Sequence, residues 1–460
     1  MKHFPRQLPC VGLLLIIFGL GSLPPATARR LPQPGGSVSI ELPPEARRTF
    51  LELHRSLPLL RRAHGTAPNE RTSLQSSTSE WTSHVLESLQ SSADHRRWTL
   101  SAHPDQRRIL RRTLQACLSA GHPTPWPALV LTRLQVTHTL TPSPHGLTLE
   151  FNHPVGPLPE LLAGCRVPFN PRRPLGPFQQ RRSNTLERNP GSTAPLPLLE
   201  SITLTESGFQ ADVRTTRSTD ASLSVLVAPV PDVILLLQEP TTRSVDPLKL
   251  ASPEGLTQFY QQLGAPLLLS VHHETYGIPT RAILPPGVAP PRPLPLATSD
   301  SGARLSLPPL GDDSPTHTLL TTVNTPLFQS LAERLSVLYR HHGYRLQERP
   351  APAPGTTRLV AWRSPTPDPA LAILHLANAY QQQCGVPPSD TPLKLREQLL
   401  SAHLETRLEA ALRLEREWVS HRVMVPLATL SAWYEINPHL RGVRIASEGV
   451  PLLHDAFWSE

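Results

Sequence analysis

"THTLLTTVNTPLFQSLAERLSVLYRHHGYRLQERP", residues 316–350, is the most regular unit in this chain of 460 residues. Residues 316–323 are rich in β-branched side chains and read as a strand. Thr325 stands before Pro326, the pairing of a side-chain N-cap with proline at the first helical position. The periodic stretch that follows reads as a helix, stopped by Gly343. "YRLQERP" then supplies a second strand. Strand, helix and strand in that order form a βαβ unit, which implies parallel strands in an α/β lobe.

Working outward, "PDVILLLQEP" (231–240) is a continuous apolar run that suits a strand buried on both faces. Alternation at Val38 and Ile40 predicts a strand near the start, and Phe50, Leu53 and Leu57 place a helix over 45–60. Residues 95–102 read as a strand and 107–121 as an amphipathic helix. Residues 131–151 alternate on both sides of a Pro-Ser-Pro-His-Gly turn and predict a hairpin. Two more strands are expected within 200–216, and a Pro-rich loop over 284–309. One long helix is expected over 395–421, where leucines recur at 400, 404 and 408. The last residues, 423–460, carry two apolar runs, a turn at Asn437-Pro438 and a final Phe457-Trp458. Such side chains need a partner surface.

Proline is the compositional outlier, with 55 residues spread through periodic segments, so the protein reads as folded and loop-rich. The formal net charge is +8, but the arginine pairs are scattered and lack aromatic interleaving. That argues against nucleic-acid binding, which needs a concentrated basic stripe or a known module. Lys2 and Arg6 precede an apolar stretch over 11–23, shorter than the roughly 20 residues that span a bilayer. "PPATA" follows, with cleavage expected after Ala28. A signal peptide over 1–28 and an exported, unanchored mature protein are therefore expected. Cys10 precedes the apolar run and is not placed as a lipoprotein acceptor. Cys117, Cys165 and Cys384 remain; Cys117–Cys165 is the first pair to test for a disulfide, and buried thiols are the alternative.

The order of landmarks resembles the solute-binding proteins of peptide and nickel ABC importers, solute-binding family 5. "PQPGGSVSIELPPE" (32–45) is similar to the family's opening P-G-G-x-hydrophobic strand, and "RRWTLSAHPD" (96–105) to the strand that follows. "PLGPFQQRRSNTLERNPGSTAPLPLLESITL" (174–204) resembles the family's central series of G-x-G-P-F, N-P and a strand. "PVPDVILL" (229–236), "YGIPTRAILPPG" (276–287) and "AWRSPTPDPALAIL" (361–374) look like its later landmarks. The ending, 416–458, is similar to the family's helix, V-x-P-L strand and segment crossing back to the first lobe. The family's F-x-D-G segment is absent, and Pro174 replaces a glycine.

The resemblance implies a two-lobed α/β periplasmic binding fold, with lobe one over 29–265 plus 440–460 and lobe two over 266–439. It implies a monomeric periplasmic receptor that hands a small solute, peptides included, to an ABC importer permease in the cytoplasmic membrane. The alternative is a non-transport interaction or sensor protein that keeps the fold. No GxSxG, HExxH, Walker or GxGxxG pattern is present, and no His/Cys group has zinc spacing, so neither an enzyme nor a cofactor or metal is expected. A ligand cleft wants a few polar anchors among apolar and aromatic walls. Trp362, Arg363 and Asp368 at the Asp-Pro strand end are the candidates, with Arg281, Trp433 and Tyr434. In dipeptide-binding relatives an acid three residues after the tryptophan receives the peptide amine; here that residue is Pro365. With Arg363 beside it, an anionic group is expected there.

Overall fold

In the computed structural model, residues 35–62, 81–119, 125–167, 176–192, 197–205, 211–215, 224–228, 230–238, 253–263, 276–290, 314, 316–321, 325–348, 356–388, 392–446 and 448–459 are described. The expected signal segment and Ala28 lie outside them. Among the described residues, no helix is long and apolar enough to cross a membrane.

The protein starts with β1 (Ser37–Glu41), α1 (Pro44–Arg55), β2 (Arg61–Arg62), β3 (Trp81–Thr82), β4 (Ser88–Ser91) and β5 (Arg97–Ser101). Next come α2 (Pro104–Leu118), α3 (Trp126–Arg133), β6 (His138–Ser143), β7 (Gly146–Phe151) and α4 (Leu158–Ala163). The middle holds β8 (Phe178–Arg182), β9 (Thr185–Arg188), β10 (Ser201–Thr205), β11 (Val213–Thr215), β12 (Ser224–Val227) and β13 (Asp232–Leu237). After α5 (Pro253–Leu263) and β14 (Tyr276–Pro279) follow β15 (Thr316–Thr321), α6 (Pro326–His341), β16 (Arg345–Glu348) and β17 (Thr357–Trp362). Three helices, α7 (Pro369–Cys384), α8 (Leu393–Leu399) and α9 (Leu404–Ser420), precede β18 (Met424–Ser431) and β19 (Trp433–Ile436). The tail is built of short strands: β20 (Leu440–Arg441), β21 (Arg444–Ile445), β22 (Pro451–Leu452) and β23 (Phe457–Trp458).

Two mixed sheets organise these elements. One has seven strands in the order β12-β19-β11-β1-β10-β9-β8, the other six in the order β14-β18-β13-β17-β15-β16. A four-stranded antiparallel unit, β4-β5-β7-β6, is separate. The βαβ unit forms as its sequence dictates. β15 and β16 pair in parallel, Thr325 accepts from Phe328 N at 3.4 Å, and Gly343 takes φ +83°. β13 lies between β17 and β18, antiparallel to both, with its apolar run shared between two cores. Val233, Leu235 and Leu237 face the core that includes the four-stranded unit and α7–α9. Ile234 and Leu236 face a second core with α5 and α6.

The tail joins the third core. Leu440, Ala446, Val450, Leu453 and Ala456 are buried with Val38, Ile40 and Phe50 around the seven-stranded sheet. A fully buried leucine or valine of this kind contributes roughly 1.5–3 kcal/mol relative to exposure. Leu453 N also donates to His54 Nε2 at 3.1 Å, which fixes the tail to α1.

Several boundaries differ from the sequence reading. Residues 131–133 end a helix, α3, and the hairpin starts only at His138; Gln135, at φ +58°, makes the turn between them. The helix expected over 395–421 is two, because Gly156 presses into the connection between them. Gly156 N donates to Leu400 O at 2.8 Å, and a Cβ on Gly156 would fall 2.4 Å from Ala402 Cα. The backbone also changes sheets earlier than 265/266 and 439/440. β13 and α5 already belong to the six-stranded body, and β19 has returned to the seven-stranded sheet. Cys117 and Cys165 form a disulfide across 48 residues.

Candidate functional site

The sheets are linked by two adjacent crossings. β12 leads through Ala228 and Val230 into β13, and β18 leads through Ala432 into β19. Ala228 N donates to Ala432 O at 2.9 Å, so the crossings lie side by side.

Directly beside them is the end of β17. Arg363 grips Asp232, the first residue of β13, with two parallel hydrogen bonds: Nε to Oδ1, and Nη2 to Oδ2 at 2.7 Å. Such fork geometry is the strong form of a charged hydrogen bond. Burial raises the Asp232 carboxyl above its ordinary range, and the Arg363 charge opposes that rise. The remaining Arg363 nitrogen, Nη1, donates to Glu448 O in the tail. The same tail turn accepts from Tyr434, whose hydroxyl donates to Gly449 O at 2.9 Å, and the Glu448 carboxylate pairs with Arg166 at 3.2 Å. Gly449 takes φ +73°, and a Cβ there would fall 2.0 Å from Arg363 Nη1, so the turn requires glycine. Arg363 thus spans from the six-stranded sheet to the tail of the seven-stranded body.

Five residues further on, the strand end is internal. Asp368 caps α7 by accepting from Leu371 N at 3.0 Å. Its other oxygen accepts from Arg407 Nε at 2.9 Å and Nη2 at 2.8 Å, and Arg407 reaches Glu160 of α4 at 3.6 Å. Trp362 is buried and donates from Nε1 to His375 Nδ1 at 3.2 Å; burial holds the His375 imidazole down at about 4. Ser364 and Thr366 are buried too.

The predicted residues therefore fall into different settings. Arg363 and Tyr434 meet at the 446–449 turn, while Trp362 and Asp368 are enclosed in the interior. Trp433 lies opposite Val227 in β12, half-buried. Arg281 follows the edge strand β14 and is close enough to act on the Tyr260 phenol, which burial pushes up. The sequence reading expects an anionic ligand group at Trp362–Asp368; in this structure Arg363 is paired with Asp232, and Asp368 with Arg407.

Sequence reasoning missed Asp232, Glu448, Arg166, Glu160 and Arg407. One signal was present for Arg407. It shares a helical stripe with Ala411, Leu414 and Trp418, all buried, and a charge on such a stripe calls for a buried partner. Glu415 is similar: its Oε1 accepts from Ile283 N at 2.5 Å and Leu284 N at 3.0 Å, holding the segment after β14. Among the described residues, no group of three or more His, Cys, Asp or Glu could hold a metal ion.

Two mixed sheets joined by paired crossings, with a small β unit alongside, define the two-lobed periplasmic binding protein fold. Solved structures bear this out. The periplasmic binding protein DppA from Helicobacter pylori, in complex with the peptide STSA, matches with a TM-score of 0.66 at 12% identity, over 93% of this chain and 99% of that one. The ABC transporter substrate-binding protein CtaP from Listeria monocytogenes matches at 0.63 and 14%, over 93% and 100%. NikA from Staphylococcus aureus, in complex with Ni(L-His)2, matches at 0.60 and 10%, over 92% and 100%. No family model matches the sequence. No curated protein matches it either. The protein has the fold of the peptide and nickel ABC substrate-binding proteins.

Proposed function

We propose that this protein is an extracytoplasmic solute-binding protein that delivers a small solute, peptides included, to the permease of an ABC importer. It acts without catalysis and without a resident cofactor. The observation that carries this reading is the likeness of fold over 93% of the chain to binding proteins of that kind. The paired crossings at Ala228 and Ala432 supply the hinge such a receptor needs, since a few extended residues absorb the rotation.

In this reading Arg363 is the moving contact. Its fork on Asp232 stays within the six-stranded body, while its bond to Glu448 O joins that body to the tail. Opening releases Nη1, and an acceptor on the solute replaces the carbonyl. Pro365 beside it provides no charge for an amine. Tyr434 meets the same tail turn and Trp433 precedes it in β19, and the two complete the proposed contacts at the junction; Arg281, placed beside Tyr260, is not part of it. The mature protein acts as a periplasmic monomer after cleavage at Ala28.

One observation favours a second reading, a protein that keeps the fold without transport. Glu160 on α4, Arg407 on α9 and Asp368 at the start of α7 are tied by buried charges, and Gly156 locks against Ala402. Calorimetric titration with short peptides, their metal complexes and organic acids separates the two. The receptor reading expects saturable binding that Arg363→Ala weakens at least tenfold. Failure of every solute to bind favours the second reading.

A further inference from the structure

A cavity of about 610 Å³ lies between α3, the C-terminal half of α7, and α8. It is lined by Arg133 and Gln135 on one side and by Asn378, Gln381, Gln382 and Arg396 on the other. Along α7, at 1.5 Å per residue, it is roughly 15–25 Å from the Asp368 cap, away from the Arg363 junction. Its chemistry is one-sided. Arg133 Nη1 donates to Gln381 Oε1 at 3.2 Å, and Arg396 Nη1 donates to Gln135 Oε1 at 2.7 Å. With their oxygens taken, both glutamines are left to present N–H groups. Beneath them Asn378 is 8% exposed, and its Nδ2 is buried without a hydrogen-bond partner among the described residues. A buried amide of this kind costs free energy unless something accepts from it.

Among the described residues lining the cavity, none is acidic. The ends of α3 and α7 bring partial negative charge to the cavity, and Arg133 and Arg396 bring two guanidinium groups. Donors in excess, one of them buried and unsatisfied, suit an acceptor-rich anion. Leu129 and Pro387 also line the cavity and supply an apolar wall. We propose that this cavity is a second ligand site, distinct from the Arg363 junction, and that it takes a small organic carboxylate with a compact apolar body.

Binding of butyrate, inorganic phosphate and butyramide to the full mature protein tests this, by titration calorimetry and by ¹⁵N-labelled side-chain amide shifts. Butyrate is expected to bind and to shift the Asn378 amide resonance, and neutral butyramide to bind at least tenfold more weakly. Phosphate binding as tight as butyrate would replace the carboxylate assignment with a general oxyanion site, overturning the specific class. Asn378→Leu removes the unsatisfied donor and is expected to keep or raise the melting temperature while losing butyrate. Arg396→Met, on the half-buried rim, is expected to weaken butyrate at least tenfold with the fold intact. Unchanged butyrate binding in both variants, or none in the wild type, overturns the site. Neither result touches the transport reading, whose solute binding depends on Arg363.

Discussion

Arg407→Met is the substitution whose cost follows most directly from the packing. The Arg407 side chain is 5% exposed and faces two carboxylates, Asp368 at 2.8 Å and Glu160 at 3.6 Å, themselves 1% and 15% exposed. It also donates from Nη1 to Ser401 O and Ala402 O, which order the break between α8 and α9. Methionine replaces the bulk but none of the charge, so two carboxylates are left facing each other out of water. Removing one partner of such a buried cluster costs about 3–5 kcal/mol. Against a total stability of roughly 5–15 kcal/mol, that is a large fraction. Urea unfolding followed by tryptophan fluorescence reads it as a lowered midpoint of the transition that exposes Trp418. The triple variant Arg407→Met, Asp368→Asn, Glu160→Gln is expected to recover most of the loss, because asparagine still caps α7. A cost below about 1 kcal/mol for Arg407→Met alone would refute the buried-charge account of this seam.

The disulfide provides an independent test: Cys117→Ser with Cys165→Ser frees a loop of 48 residues and should destabilise the protein by about 2–4 kcal/mol, read by denaturant titration. Acid should act through His54, whose Nδ1 faces Phe50 O at 2.8 Å and whose pKa burial lowers from 6.5 to about 4. A depressed folded pKa means stability that is complete above pH 6.5 and lost as pH falls towards 4, worth roughly 3 kcal/mol at full extent. His54→Gln should flatten that part of the pH profile, and an unchanged slope would rule His54 out. Gly449→Ala should cost about 1–2 kcal/mol from its positive φ, plus the displaced Arg363. In an Arg363→Ala background the second part should vanish, which a double-mutant cycle measures.

The elements legible in the sequence are those fixed by local chemistry. Alternation, the Thr325-Pro326 start and the Gly343 stop lie within one unit, so β15, α6 and β16 form where their residues direct. The apolar run of β13 likewise carries its own burial on both faces. The break at 400–403 was hidden because the leucine spacing runs through it without glycine or proline. Its cause, Gly156, lies far upstream, beyond the reach of any local pattern. The candidate site divides the same way. Trp362, Arg363 and Asp368 were visible as unusual residues at a strand end, but their partners lie 131 residues off for Asp232, 85 for Glu448 and 39 for Arg407. Periodicity carries no information about such pairings, which enclose Trp362 and Asp368 and leave Arg363 at the junction with the tail.

Native mass spectrometry of the mature protein, recovered from the exported fraction without refolding, tests the receptor reading most directly. The Asn378→Leu variant should be used, so that a ligand in the α3–α7–α8 cavity is not counted. The account predicts a single small-molecule adduct per molecule that is lost on unfolding and lost or weakened in Arg363→Ala. A bare protein, both as isolated and after incubation with peptide, metal-complex and organic-acid mixtures, would contradict it.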